Sequence, residues 1–238
     1  MRIGIAGLGL IGGSLALALR DRHEIIACDP AGTGEFAAAA TVAGLLPADV
    51  VIVATPPDAV VPTLAALAPI AGSAVLLDVG SLKRDVARYA ATAPRDARIV
   101  GGHPMAGSTG SGLAAARADL FRDRPFLLVP TARSDDAAMA LAGDLARAVG
   151  AVPTVVSAEV HDHAVAMLSG LPLLIARALA AAGAEVAELA GPGFREMTRL
   201  AGTPKPLADA MLAGNADEIR TALAAFRSAL DAAERELG

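Results

Sequence analysis

Short apolar runs alternate with longer amphipathic stretches through the first 156 residues of the chain. Strand-like runs occupy residues 2–6, 24–28, 50–54, 74–78, 98–100 and 125–129, with a last one at 152–156. Helical periodicity is read between them at 11–20, 34–43, 59–67, 83–93, 113–120 and 134–149. Strands that alternate with helices predict βαβ units and a mainly parallel sheet covered on both faces. From residue 157 the pattern changes to helix alone, broken at Gly191-Pro192-Gly193 and Thr203-Pro204-Lys205-Pro206. Leu223, Phe226, Leu230 and Leu237 recur there at helical spacing, with Glu218, Arg220, Arg227 and Glu234 on other faces. The expected organisation is an α/β domain at 1–156 followed by an all-helical domain at 157–238.

Composition narrows the partners. Of 238 residues, 54% are hydrophobic and 19% charged, which is the balance of a folded chain. A net charge of −5, five Phe, one Tyr and no Trp supply neither the basic stripe nor the stacking platform of a nucleic-acid binder. One cysteine, Cys28, precludes an internal disulfide and reads as a buried thiol in an apolar run. The longest uncharged run, 164–176, is shorter than the ~20 residues of a membrane span and reads as a core helix. Met1 leads directly into the first strand, so no targeting segment, no membrane and a cytoplasmic location are expected.

The candidate chemistry lies where strands end. Gly7-Leu8-Gly9-Leu10-Ile11-Gly12 is a G-x-G-x-x-G turn between the first strand and the first helix. Glycines there let the backbone approach a pyrophosphate seated on a helix N-terminus. Asp29 ends the second strand at the ~20-residue spacing of an acid that binds a ribose. No Arg follows it to meet a 2′-phosphate, so NAD is expected over NADP in a Rossmann-type domain. Thr55 and Pro56, at the end of the third strand, fall beside the switch point of such a sheet, and Asp58 is read as a helix cap. Ser81, after Asp78, is on its own residues another helix cap. His103 is placed in a glycine-flanked loop after the fifth strand, a position suited to acid–base work. His161 and His163 at i, i+2 do not share a helix face. They are read as packed or exposed, with Asp162 as a cap and no metal.

Together these segments resemble the prephenate/arogenate dehydrogenase family of tyrosine biosynthesis. The resemblance is carried by the glycine loop with Gly13-Ser14, by Asp78-x-Gly80-Ser81-x-Lys83, and by His103-Pro104-Met105-Ala106-Gly107-Ser108. It continues through Asp119-Leu120-Phe121, His161-Asp162 and the run from Gly191 to Ala201. It implies an NAD-dependent oxidative decarboxylation of prephenate to 4-hydroxyphenylpyruvate. His103 and Ser81 would be catalytic; Arg199, Ser81 and Thr109 would bind substrate. The helical domain would form a homodimer. Two departures leave the substrate open. Gly170 and Leu173 stand where the family commonly has histidines, and Ala208 stands where it has Trp; Lys205 is an extra cation nearby. Arogenate dehydrogenase, and a non-catalytic NAD-binding dimer, remain alternatives. The short tail leads us to expect no separate regulatory domain.

Overall fold

The computed structural model describes residues 1–108 and 110–237, so Thr109 lies outside the described residues. It divides into two compact units, Met1–His161 and Asp162–Gly238.

The first unit is built on eight strands: β1 (Arg2–Ala6), β2 (Glu24–Cys28), β3 (Ala37–Ala38), β4 (Val50–Val53), β5 (Val75–Asp78), β6 (Arg98–Pro104), β7 (Pro125–Val129) and β8 (Val152–Val155). They lie in the order β3-β2-β1-β4-β5-β6-β7-β8, and every pair is parallel except β6 with β7. The central strands are apolar on both faces because both faces are covered. Val50 and Ile52 join the core under helices α1 (Leu10–Leu19) and α4 (Asp136–Ala148). Val51 and Val53 face the other way, toward α2 (Pro57–Leu67) and α3 (Arg84–Thr92). A period of two, hidden in a uniformly apolar run, thus separates two cores.

Three sequence expectations are corrected. No helix forms over 34–43; Ala37 and Ala38 pair with Ile26 and Ala27, and a 3₁₀ turn covers Val42–Leu45. Alanine favours helix, but among residues 34–40 only Phe36 brings a large side chain to the core, too little to hold a helix face. At 113–120 only Leu113–Ala115 is helical, as a 3₁₀ turn. β6 runs on through Pro104, so His103 stands on a strand, opposite Leu127 of antiparallel β7, rather than in a loop.

The second unit holds the remainder of a helix that runs over Ala158–Ala182 as α5 (Ala158–Val165), a π turn (Ala166–Gly170) and α6 (Leu171–Ala182). Pro172 lacks an N–H and crowds the carbonyl four residues back, a conflict that a wider turn relieves. Helices α7 (Pro192–Thr198), α8 (Lys205–Gly214) and α9 (Ala216–Glu234) follow. The buried core of this unit is small, centred on Ala166, Leu171, Ile219 and Ala222. Gly170 fits against Ile219, where an added Cβ would come within 2.7 Å of Cδ1, and Leu173 is buried. Leu168, Leu189 and Met197 are exposed at 67%, 80% and 59%.

Candidate active site

The glycine loop joins β1 to α1 at the carboxyl edge of the sheet. Gly7 has φ +92°, and a Cβ there would lie 2.6 Å from the carbonyl oxygen of Ala54. A Cβ on Gly12 would fall 1.9 Å from the carbonyl oxygen of Gly7, so only glycine lets the helix start this close to the strand. Gly9 is different: nothing lies within 4 Å of its absent side chain. Helix α1 has no side-chain cap and no acid in its first turn, which leaves backbone N–H groups and the positive end of the helix available to an anion. Asp29 sits against the loop. Its carboxylate accepts from the N–H of Leu8 at 2.6 Å and of Ala31 at 2.7 Å.

The Leu8 side chain is buried, so any role of that residue runs through its backbone; Leu10 and Ile11 are half-buried against the core. At the end of β4, Thr55 has a buried hydroxyl without a hydrogen-bond partner among the described residues, and Pro56 is exposed just before α2. An open face at Gly9, an uncapped helix start and an orphaned Thr55 hydroxyl together fit the phosphates of a dinucleotide. Asp58 lies inside the first turn of α2 rather than capping it, because Pro57 already supplies the first helical residue. Cys28 is half-buried rather than buried; burial, then Asp29, raises its thiol above the usual range.

Two strands away, β5 ends on Asp78, which is fully buried. One carboxylate oxygen accepts from the N–H of Gly80 at 2.7 Å, and the other is ion-paired with the ammonium of Lys83, also fully buried. Room for this pair comes from β6. A Cβ on Gly101 would lie 3.0 Å from Cδ of Lys83, and one on Gly102 would lie 2.7 Å from the carbonyl oxygen of Asp78. Ser81 sits half-buried in the turn between the two charges and makes no hydrogen bond within the described residues. It does not cap α3, which starts after Lys83.

His103 follows the two glycines on β6. Its Nδ1 is 2.9 Å from Nε2 of His161, with the ring centroids 5.1 Å apart. Burial, His161 and Lys83, in that order, hold the His103 imidazole well below its usual 6.5. It is therefore neutral at pH 7 and able to accept a proton. His161 is buried on α5, four residues beyond the carbonyl of Ser157, which accepts its N–H at 2.9 Å. Ser157 is also the true cap of this helix, since its hydroxyl accepts from the N–H of Val160 at 3.2 Å. Asp162, read as that cap, lies buried within the helix, and its carbonyl accepts from Nδ2 of Asn215 at 2.6 Å.

In the helical unit Arg199 opens a 3₁₀ turn, Arg199–Gly202, is exposed, and has no ion pair among the described residues. Lys205 is tied to Asp209, which Arg177 also approaches at 3.3 Å, and Ala208 is fully buried. Arg195 is exposed and its Nε donates to the Ala190 carbonyl at 3.1 Å. His163 pairs with Glu218 at 3.0 Å. Sequence reasoning thus missed two contributors, Lys83 and His161. The signal for Lys83 was an acid and a base five residues apart across a strand end, opposite a Gly-Gly pair on the neighbouring strand.

Family models describe the two parts of the chain separately. Residues 15–155 match the nucleotide-binding domain of prephenate dehydrogenase, and residues 157–238 match its dimerization domain. The chain is 33% identical to the prephenate dehydrogenase of Bacillus subtilis over 90% of its length, and it spans 64% of that relative. It is 36% identical to the probable prephenate dehydrogenase NovF of Streptomyces niveus over 83% of its length, spanning 58% of that protein. Among solved structures, the arogenate dehydrogenase of Synechocystis matches with a TM-score of 0.82 at 31% identity, covering 97% of this chain and 90% of that one.

Proposed function

The chain belongs to the prephenate dehydrogenase family, and on that footing we propose that it oxidises and decarboxylates prephenate to 4-hydroxyphenylpyruvate with NAD. The observation that carries this reading is His103, a half-buried imidazole kept neutral at the carboxyl edge of the sheet, near a fixed Lys83–Asp78 pair. The backbone from Leu8 to Gly12 would hold the pyrophosphate, Asp29 a ribose, and Thr55 a polar group of the cofactor. The Asp29 carboxylate would repel a 2′-phosphate, which favours NAD over NADP. Bound NAD supplies the hydride acceptor.

His103 takes the proton of the substrate's C4 hydroxyl as the C4 hydride departs, and Ser81 hydrogen-bonds the same oxygen. The ring carboxylate leaves as CO2, and its electron pair completes the aromatic ring. Arg199 binds a substrate carboxylate, for which a guanidinium offers two parallel hydrogen bonds. Thr109 would also bind substrate in this reading. The chemistry requires no metal.

A second reading, arogenate as substrate, is favoured by Gly170 and Leu173. Neither offers a side-chain donor to a pyruvyl group, and both are packed into the helical unit. The exposed Leu168, Leu189 and Met197 support a homodimer through that unit. The helix Ala158–Ala182 has the length and composition of a membrane span. We assign it to the dimer instead, in a cytoplasmic enzyme. Purified protein with NAD, given prephenate and then arogenate, should form reduced cofactor with one of them. Binding of NAD with turnover of neither substrate would leave a non-catalytic protein.

A further inference from the structure

A nitrogen-to-nitrogen distance of 2.9 Å between two imidazoles is a hydrogen bond with one proton in it. One ring must donate and the other accept, so this contact fixes the tautomers of both. Two arrangements satisfy it. If His161 donates from Nε2, His103 accepts at Nδ1 and its proton sits on Nε2, where it cannot serve as a base. If His103 donates from Nδ1, its Nε2 carries a free lone pair. Only the second arrangement suits proton abstraction from a hydroxyl.

We propose that His161 is a positioning residue, whose Nε2 accepts the Nδ1–H of His103 and so presents the Nε2 lone pair of His103 to the substrate hydroxyl. The inference rests on the reaction proposed above. His161 is well suited to this task because its place is set by the helix rather than by the substrate. Its ring is buried on the first turns of α5, and the Ser157 cap fixes where that helix begins.

The identity of the partner matters as well as its position. The charged and titratable groups facing His103 are His161 from α5 and Lys83 after β5, with Asp78 behind Lys83. A carboxylate in place of His161 would stabilise the imidazolium and hold His103 protonated to higher pH. An imidazole nitrogen as acceptor orients the ring without placing a negative charge beside it. When His103 takes the hydroxyl proton at Nε2, its Nδ1–H bond to His161 becomes charge-assisted and strengthens. The proton leaves to solvent after product release.

Three substitutions separate orientation from packing. His161→Gln keeps an acceptor in place of the ring nitrogen without a titratable group, and His161→Leu removes the acceptor while filling the space. His161→Glu substitutes a carboxylate. For His161→Leu, kcat should fall about 10- to 100-fold, the range seen when a metal-bound imidazole loses the partner of its second nitrogen, with the KM for substrate and the affinity for NAD little changed. His161→Gln should restore most of that loss. His161→Glu should move the acidic limb of the kcat/KM profile to higher pH.

The tautomer is read directly by nitrogen-15 NMR of the four histidines, in which wild type and His161→Gln should show His103 protonated at Nδ1 at neutral pH. Protonation of wild-type His103 at Nε2 would overturn the proposal, as would a Gln variant as impaired as the Leu variant. This spectrum needs no turnover. A wild-type protein inactive on both substrates would therefore refute the reaction without deciding the hydrogen bond, and the NMR result would still decide it.

Discussion

Strand β6 handles charge in opposite ways at its two ends. At its start, Arg98 makes two hydrogen bonds to the carboxylate of Asp135, at 2.8 and 2.9 Å, and a third to the Ser73 carbonyl at 3.1 Å. Both partners keep contact with water, and Asp135 also accepts from the N–H of Ala138 at 2.6 Å as the cap of α4. At the other end, His103 is half-buried beside an imidazole and near an ammonium, with no carboxylate bonded to it among the described residues. The first end lowers the free energy of its charged groups. The second raises the free energy of the one charged state that His103 can reach, the imidazolium. A group kept in its neutral form is poised to gain a proton from a substrate and to give it up again, and that readiness is what catalysis uses.

The largest effect expected at the His103 end is chemical. His103→Ala should lower turnover by roughly 10²–10⁴-fold, the usual worth of a general base, while NAD binding, measured by fluorescence titration, stays nearly unchanged. Equal activity would remove His103 from the reaction and end the contrast between the two ends. Next comes Lys83→Met, which leaves the Asp78 carboxylate buried without its cation. Losing one partner of such a pair costs about 3–5 kcal/mol of stability, read from denaturant unfolding. The double variant Asp78→Asn/Lys83→Met should recover part of it, since neither position then carries a buried charge. Removing the Lys83 charge also lifts one of the causes that hold His103 down, so the acidic limb of any surviving activity should move to higher pH.

How much of this was legible follows from which forces were local. Strands β1, β2, β4, β5 and β7 could be read within a residue, because a sheet covered on both faces writes itself as apolar runs between turns. The glycine loop was legible for a steric reason: Gly7 and Gly12 occupy places where a Cβ collides with backbone, and few other arrangements demand glycine at that spacing. The extension of β6 was not legible. Gly101 and Gly102 are poor strand formers, and what makes them strand is pairing with Leu128 and Val129 of β7, more than twenty residues away. Lys83 and His161 were hidden for a related reason. A lysine or histidine is usually solvated, and only the tertiary fold buries Lys83 with its nearby acid and brings His161 its ring partner. Alanine at 37–40 misled because helix propensity without a large apolar face is outweighed by pairing to β2.

The smallest effect separates the two ends by pH. His103 has its pKa lowered on folding, so below its usual 6.5 the unfolded chain takes up a proton that the folded one refuses. Stability should therefore begin to fall as pH drops through 6.5, and His103→Leu should lessen that decline. Asp135 is the opposite case: the bonds from Arg98 and then Ala138 hold its carboxyl at about 2, against a usual 3.8. A lowered carboxyl contributes stability that is complete above the unfolded value and is lost as pH falls toward the folded one, so its window runs from about pH 4 down to about 2. Asp135→Asn should be slightly less stable than wild type at pH 7, and the difference should close across that lower window, because wild-type Asp135 then becomes protonated as well. Because the pair is open to water, the effect should shrink in high salt. Thermal melts at pH 7, 5.5, 4 and 2.5 would resolve two separate declines, one for each end of β6; a single decline centred near pH 3, unchanged by His103→Leu, would show that burial of His103 contributes nothing to acid sensitivity.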